Sequence, residues 1–119
     1  GKGIAFTATA GASTSYDYKL TEARLIDGTR LILKNHVFGD SVKFQVVDVD
    51  NILGYGSGVV LDEFADSWFF AEDKQEQTDT RLPYSAEVIA NLYIRIIYNS
   101  IGASDVLVQC NLFAHKYMA

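Results

Sequence analysis

The chain has 119 residues, of which 49% are hydrophobic and 21% charged, a composition typical of one globular domain. Its net charge of −5 argues against the basic face that binding to phosphates needs, so we expect no nucleic-acid partner. No window approaches the ~20 apolar residues that a membrane-spanning helix requires, so we expect no membrane partner. The single cysteine, Cys110, cannot form an internal disulfide.

The first residues of the chain are rich in glycine and alanine and show no sustained hydrophobic period. We therefore predict an extended, flexible N-terminal arm over residues 1–13, followed by one β-sandwich domain over residues 14–119. Ile4 and Phe6 are the large apolar residues of this arm. We expect them to dock on a neighbouring subunit.

From Ser15 onward, the hydrophobic residues recur with the period of two that a half-buried strand shows. Tyr16, Tyr18 and Leu20 alternate with polar residues. Asp27-Gly28 then predicts a tight hairpin turn, because glycine tolerates the positive φ that such turns require. The returning strand is expected over residues 29–34.

The alternation is clearest over residues 42–49, where Val42, Phe44 and Val46 form the inward phase. The adjacent pair Val46-Val47 breaks this phase and indicates a β-bulge. The glycine-rich segment that follows is typical of an irregular loop. We expect that loop over residues 50–58 and short strands over 59–64 and 67–71. The polar residues 72–81 should lie on the surface, as an edge strand or as an exposed limb of a hairpin.

The C-terminal third has the strongest β propensity, in residues 92–98. A turn over residues 102–105 and a second alternating segment over 106–115 predict a long hairpin. Cys110 falls on the inward phase, which predicts a buried thiol that reacts slowly. Only residues 85–90 have a helical pattern. The sequence thus predicts an all-β fold, a single antiparallel β-sandwich similar to a jelly roll.

Residues 92–98 are apolar on both faces of the predicted strand. Leu92, Ile94 and Ile96 form one face, which we assign to the core. The other face also carries apolar residues, and exposing them to water would make the protein prone to aggregation. We therefore expect a neighbouring subunit to cover this face. The residues expected at that interface are Tyr93, Arg95 and Ile97.

An acidic cluster offers an alternative site. Asp48, Asp50 and Asn51 supply oxygen atoms beside a flexible loop, and calcium binds six to eight such oxygens. The same residues are favoured in turns, and we prefer that interpretation. Trp68 could stack on a sugar, although core packing or a subunit contact also accounts for it. The alternative function is therefore a carbohydrate-binding module, with or without calcium.

No pattern in the sequence supports catalysis. Cys110 and His115 lack the partners of a zinc site, and Ser57 does not lie in a nucleophile elbow. No phosphate-binding Gly-Lys-Ser/Thr motif occurs. We predict no catalytic residue, no cofactor and no metal, and a protein that is not an enzyme.

A resemblance to a known class supports an assembly role. Residues 31–50, the glycine loop after them and residues 92–100 resemble small virion proteins of tailed bacteriophages, and the likeness extends over residues 15–117. It implies a compact β-sandwich or jelly roll located in the virion, with a structural role such as capsid decoration (cement) or head–tail connection. The implied partners are copies of the chain itself and other virion proteins, such as the major capsid protein. No functional residue carries over from the resemblance.

Overall fold

Eight β-strands and one short helix form the regular structure in the residues that the computed structural model describes, which are 2–21, 25–65, 74–81 and 84–115. In chain order the elements are β1 (Lys2–Ala8), β2 (Ser13–Lys19), β3 (Leu25–Lys34), β4 (Ser41–Asp48), β5 (Val59–Ala65), β6 (Lys74–Arg81), α1 (Ala86–Ile89), β7 (Tyr93–Asn99) and β8 (Val106–His115).

The strands form two four-stranded antiparallel sheets, with the orders β1-β8-β3-β6 and β2-β7-β4-β5. Among the described strands, only β4 and β5 are both consecutive in the chain and paired in one sheet. The other connections pass from one sheet to the other. Two facing sheets of four strands each, in these orders, make a jelly roll. The predicted all-β sandwich is therefore confirmed.

The core lies between the sheets and follows the period of two. The predicted inward phases of residues 42–46 and 92–98 are confirmed, as is the bulge at Val46-Val47, where the pairing of β4 with β5 shifts register. Alternate side chains must share a face of a strand, which fixes the phase once one residue is buried. The largest fully buried side chains include Leu31, Leu33, Phe44, Ile94, Ile96 and Tyr98.

Two predictions about minor elements are also confirmed. The polar segment expected at a sheet edge forms β6, an edge strand, and the helical pattern at residues 85–90 contains α1. Polar side chains suit an edge because they discourage pairing with other chains. The strand expected over residues 67–71 lies outside the described residues.

The N-terminal segment differs from the expectation. The sequence predicted a flexible arm over residues 1–13, whereas residues 2–8 form β1 and pair with β8 from Lys2↔Leu112 to Ala8↔Val106. Ile4 and Ala8 are buried in the core. The outward residues of this strand are glycine, alanine and threonine rather than charged residues, so its alternation does not stand out in the sequence.

The predicted hairpin turn at Asp27-Gly28 is wrong. β3 continues through this point, and its register with both β6 and β8 shifts between Ile26 and Gly28. A glycine within a strand often marks such a bulge, because it permits the local distortion without a side-chain clash. The Asp27-Gly28 pair therefore does mark a change in the backbone, but that change is a bulge within β3 and not a turn between two strands.

The predicted C-terminal hairpin is also wrong. β7 and β8 belong to different sheets, so residues 100–105 carry the chain across the sandwich. The alternation of each strand shows which of its faces is buried, and both strands do bury the predicted face. Two strands can bury side chains in the same core as neighbours within one sheet or as members of opposite sheets. The alternation of apolar residues in the sequence is the same in both cases.

Candidate functional site

Of the connections that the structure describes in full, three meet at one end of the sandwich, and we call residues 9–12, 35–40 and 100–105 the loop end. The pairs Ser13↔Asn99 and Ser41↔Asn99 bring the strand ends together. The Ser100 N–H donates to the Ala12 carbonyl at 3.0 Å. The Ala10 N–H donates to the Asp105 carboxylate at 2.9 Å. These two bonds join residues 9–12 to residues 100–105, and the Asn35 side-chain amide links residues 35–40 to the same connection by donating to the Asp105 carbonyl at 3.4 Å.

A buried carboxylate anchors the loop end to the core. Asp40 is inaccessible to solvent, and its Oδ2 accepts hydrogen bonds from the Tyr98 hydroxyl at 2.7 Å and the Val37 N–H at 3.2 Å. Its Oδ1 accepts from the Ile101 N–H at 2.9 Å. Three donors offset the cost of burying a charged group, which is large when the group is unpaired. Burial and the neighbouring Asp40 raise the pKa of Tyr98, so its hydroxyl keeps the proton that it donates.

The anchor holds three apolar side chains in solvent. Phe38 is 88% exposed, Ile101 64% and Val37 39%, and we call these three residues the apolar tip. Gly39 and Gly102 support it, since an added Cβ would lie 2.5 Å from Ile101 Cδ1 and 3.1 Å from a Val37 methyl, respectively. The side chains of Ile101 and Val37 therefore rest directly on the backbone of the neighbouring loop.

The loop end carries few ionisable groups. The sequence places only His36, Asp40 and Asp105 in its three segments. Asp40 is buried in the hydrogen bonds described above, and the Asp105 carboxylate accepts the Ala10 N–H. Within these three described connections, the surface therefore carries few charges.

The residues expected at an interface through the arm lie within the chain's own fold. Ile4 is only 5% exposed and belongs to the core. Phe6 is half-buried, and its ring stacks on that of Tyr16 with centroids 5.3 Å apart. The stacked pair closes the side of the sandwich between the edge strands β1 and β2. These contacts account for the apolar character of the two residues within one molecule.

Tyr93, Arg95 and Ile97 lie on the outer face of the other sheet, where they are half-buried. Arg95 forms a bidentate pair with Asp17 across β2 and β7, with Nε–Oδ1 and Nη2–Oδ2 distances of 2.8 and 3.0 Å. Burial and the carboxylate of Asp50 raise the pKa of Tyr93. This face therefore combines an ion pair with the apolar side chain of Ile97, and the subunit contact expected through it stays a prediction.

The acidic cluster shapes a loop. The buried Asp48 carboxylate accepts the N–H groups of Ile52 and Leu53 at 2.8 and 3.0 Å. Asn51 has a φ of 57°, and its side chain accepts the Gly56 N–H. These are the bonds of the preferred turn interpretation. Within the described residues, no group of three or more His, Cys, Asp or Glu side chains could hold a metal ion. Trp68 lies outside those residues.

Cys110 is buried, as the phase of its strand predicted. Burial raises the pKa of its thiol to about 12. Little thiolate forms at neutral pH, which makes the residue a poor nucleophile. Cys110 therefore contributes to the core.

The sequence analysis missed the apolar tip. Its members lie in two connections that are far apart in the chain, and their exposure depends on how the strands place those connections. A signal was nevertheless present. Val37 and Phe38 lie between the turn residues Asn35 and Gly39, where no strand alternation requires large apolar side chains.

The sequence and the fold can be compared with those of known proteins. No family model and no curated protein matches the sequence. A crystal structure of an infectious bursal disease virus VP2 subviral particle is similar over 91% of this chain, at 11% identity and a TM-score of 0.42. A structure of the infectious bursal disease virus Gx strain is similar over 94%, at 12% identity and a TM-score of 0.38.

The chain spans only 29% and 30% of those two viral chains, respectively. The jelly-roll assignment rests on the strand order given above. Among the described helices, none is long and apolar enough to cross a membrane.

Proposed function

We propose that the chain is a structural subunit of a virus particle, which assembles with copies of itself and with other virion proteins. The observation that carries this proposal is the exposed apolar tip on a jelly roll. Viral capsid domains are among the proteins built on this fold. Large apolar side chains held in water at a fixed position are typical of surfaces that another protein covers.

The finer proposal is a capsid decoration (cement) protein of a tailed bacteriophage. Its support is the resemblance of residues 31–50 and 92–100 to small phage virion proteins. In this role the subunit would sit on a shell of the major capsid protein. Its contribution would be binding energy rather than chemistry.

Lectin domains share the jelly roll, but Asp48, one of the residues considered for a sugar or calcium site, is bonded within its own loop. Asp48 is buried, and both of its carboxylate oxygens accept backbone N–H groups of the adjacent loop. It is therefore unavailable to a sugar hydroxyl. We accordingly propose the structural role alone.

Particles purified from infected cells on a density gradient test the proposal. Quantitative peptide mass spectrometry should find this chain in the particle band, at a constant ratio to the major capsid protein. For a decoration protein, mild treatment with salt or denaturant should release the chain while the shell remains closed. A chain that is abundant in the lysate and missing from washed particles would exclude the virion role.

A further inference from the structure

We propose that the edge strand β2 pairs in antiparallel fashion with β2 of a second copy, so that the sheet β2-β7-β4-β5 continues from one subunit into the next. The inference rests on the proposed assembly function and names one of its contacts. It starts from the position of β2 (Ser13–Lys19), which lies at the edge of its sheet and pairs with β7 on one side only.

The hydrogen bonds just beyond the two ends of β2 show which of its backbone groups face outward. The Leu20 N–H donates to the Leu92 carbonyl at 2.8 Å. At the other end, the Ser100 N–H donates to the Ala12 carbonyl at 3.0 Å. The register between β2 and β7 runs without a shift, so the even-numbered residues of β2 bond to β7. The odd-numbered residues therefore point their N–H and C=O groups away from the sheet.

This outward edge is open. Its residues are Ser13, Ser15, Asp17 and Lys19, and all four are exposed. In the part of the chain that the structure describes, their outward backbone groups have no hydrogen-bond partner. A regular strand with neither proline nor bulge that leaves such a row unpaired is a template for another strand. At the opposite edge of the same sheet, β5 is less suited to this, because its register with β4 shifts twice.

A second copy of β2 fits this edge over its whole length. When two copies overlap all seven residues in antiparallel fashion, Ser13 lies opposite Lys19 of the other copy. In the same register, Ser15 lies opposite Asp17. Odd-numbered residues then face odd-numbered residues, so each outward N–H meets an outward carbonyl. The strand is thus complementary to itself, as a twofold contact requires.

The charges of the edge are compatible with this register. Asp17 forms its bidentate pair with Arg95 of the same chain. Lys19 lies opposite a serine of the second copy, so no two like charges are directly opposed. Like charges in that position would destabilise the pair.

Tyr16 lies at the centre of the overlap and favours a second copy over another extended segment. Its side chain is 38% exposed and stacks on Phe6. Because the backbone of Tyr16 bonds to β7, this residue meets its own counterpart in a non-hydrogen-bonded pair, where side chains approach most closely. The stacked rings of the two copies then cover each other. An unrelated strand would supply the backbone bonds without the matching rings.

The contact is small. Pairing of one strand from each copy covers less than the roughly 800 Å² per partner of a standard interface, so free subunits should associate weakly. Subunits held side by side on a particle have a high effective concentration, which strengthens a weak contact of this kind.

Two substitutions at Ser15 test the pairing by sedimentation velocity over a wide range of concentration. Ser15→Pro removes an N–H that bonds to nothing within the subunit, and edge strands tolerate proline. Ser15→Ala is the matched control, because it changes the side chain and keeps the N–H. Ser15→Ala should associate like the wild type, whereas Ser15→Pro should associate at least tenfold more weakly. The melting temperatures of the two variants should agree closely.

Disulfide cross-linking tests the register without a proline. The Cα atoms of a non-hydrogen-bonded pair are about 4.5 Å apart, which a disulfide can span, so Tyr16→Cys should form a covalent dimer under mild oxidation. Thr14→Cys is the control. In the proposed register it faces Tyr18 of the other copy, about 13 Å from its own counterpart, and should not cross-link. The native Cys110 is buried and should not take part.

Each other outcome overturns the inference. If Ser15→Pro associates as tightly as Ser15→Ala, another surface joins the copies, and the proposed function still stands. If the wild type stays monomeric at every concentration and Tyr16→Cys does not cross-link, β2 does not bind a second copy. The composition of the particle then decides the proposed function separately. Cross-linking of Thr14→Cys in preference to Tyr16→Cys would contradict the pairing as stated.

Discussion

Replacing Tyr98 with phenylalanine tests the anchor beneath the apolar tip. The change removes one hydroxyl that donates to Asp40 over 2.7 Å, in a site closed to solvent. The ring can remain in place, so no large cavity forms. Asp40 keeps the N–H groups of Val37 and Ile101 but loses its bond to the core.

A hydrogen bond to a charged group contributes about 1.5–3 kcal/mol to stability, and burial of Asp40 places this bond in the upper part of that range. For a domain of this length, each kcal/mol shifts the melting temperature by roughly 3–6 °C, so Tyr98→Phe should melt about 5–15 °C lower. The backbone N–H groups of Val37 and Ile101 should also exchange with deuterium faster, since the loops lose part of their attachment.

Urea unfolding followed by circular dichroism, together with amide exchange by NMR, measures both effects. Tyr16→Phe is the control, because Tyr16 is partly exposed and lies outside the Asp40 site. It should change stability by less than about 0.5 kcal/mol, as surface substitutions usually do. If Tyr98→Phe behaves like this control and exchange at Val37 and Ile101 is unchanged, Asp40 does not anchor the tip.

Three further predictions concern the sandwich. Ile96→Asp should prevent folding because it places a charge in the core, whereas Ile97→Asp, on the half-buried outer face, should fold; equal melting of the two would contradict the assigned phase. Burial raises the pKa of Cys110 from about 9 to about 12, so the unfolded chain releases this proton first. Stability should therefore fall as pH rises from 9 towards 12, by up to about 1.4 kcal/mol per unit, and Cys110→Ala should lose that component of the slope. Ile4→Ala should lower the free energy of unfolding by about 2–4 kcal/mol. A loss below about 0.5 kcal/mol would indicate that Ile4 lies in a mobile arm and not in the core.

The sequence predicted the faces of strands better than their partners. The period of two placed Phe44, Ile96 and Cys110 in the core, because alternate side chains of a strand necessarily share a face. Partner choice depends instead on the path of each connection. Residues 100–105 have the turn chemistry of a hairpin, yet they cross between sheets and attach to Asp40 through the Ile101 N–H.

The candidate site could be predicted from the sequence less well than the fold. The apolar tip joins residues from two distant connections, and only the jelly-roll order brings those connections to one end. Nothing in the sequence singles out Asp40, since an exposed and a buried aspartate look alike in a sequence. Its role requires Tyr98 opposite it, and that pairing follows from the packed core.

A cryo-EM reconstruction of purified particles tests the central claim most directly. The account predicts jelly-roll density for this chain at symmetric positions on the particle, with neighbouring protein packed over the apolar tip of each copy. A reconstruction that accounts for all ordered protein density without this chain would contradict the claim that it is a structural subunit.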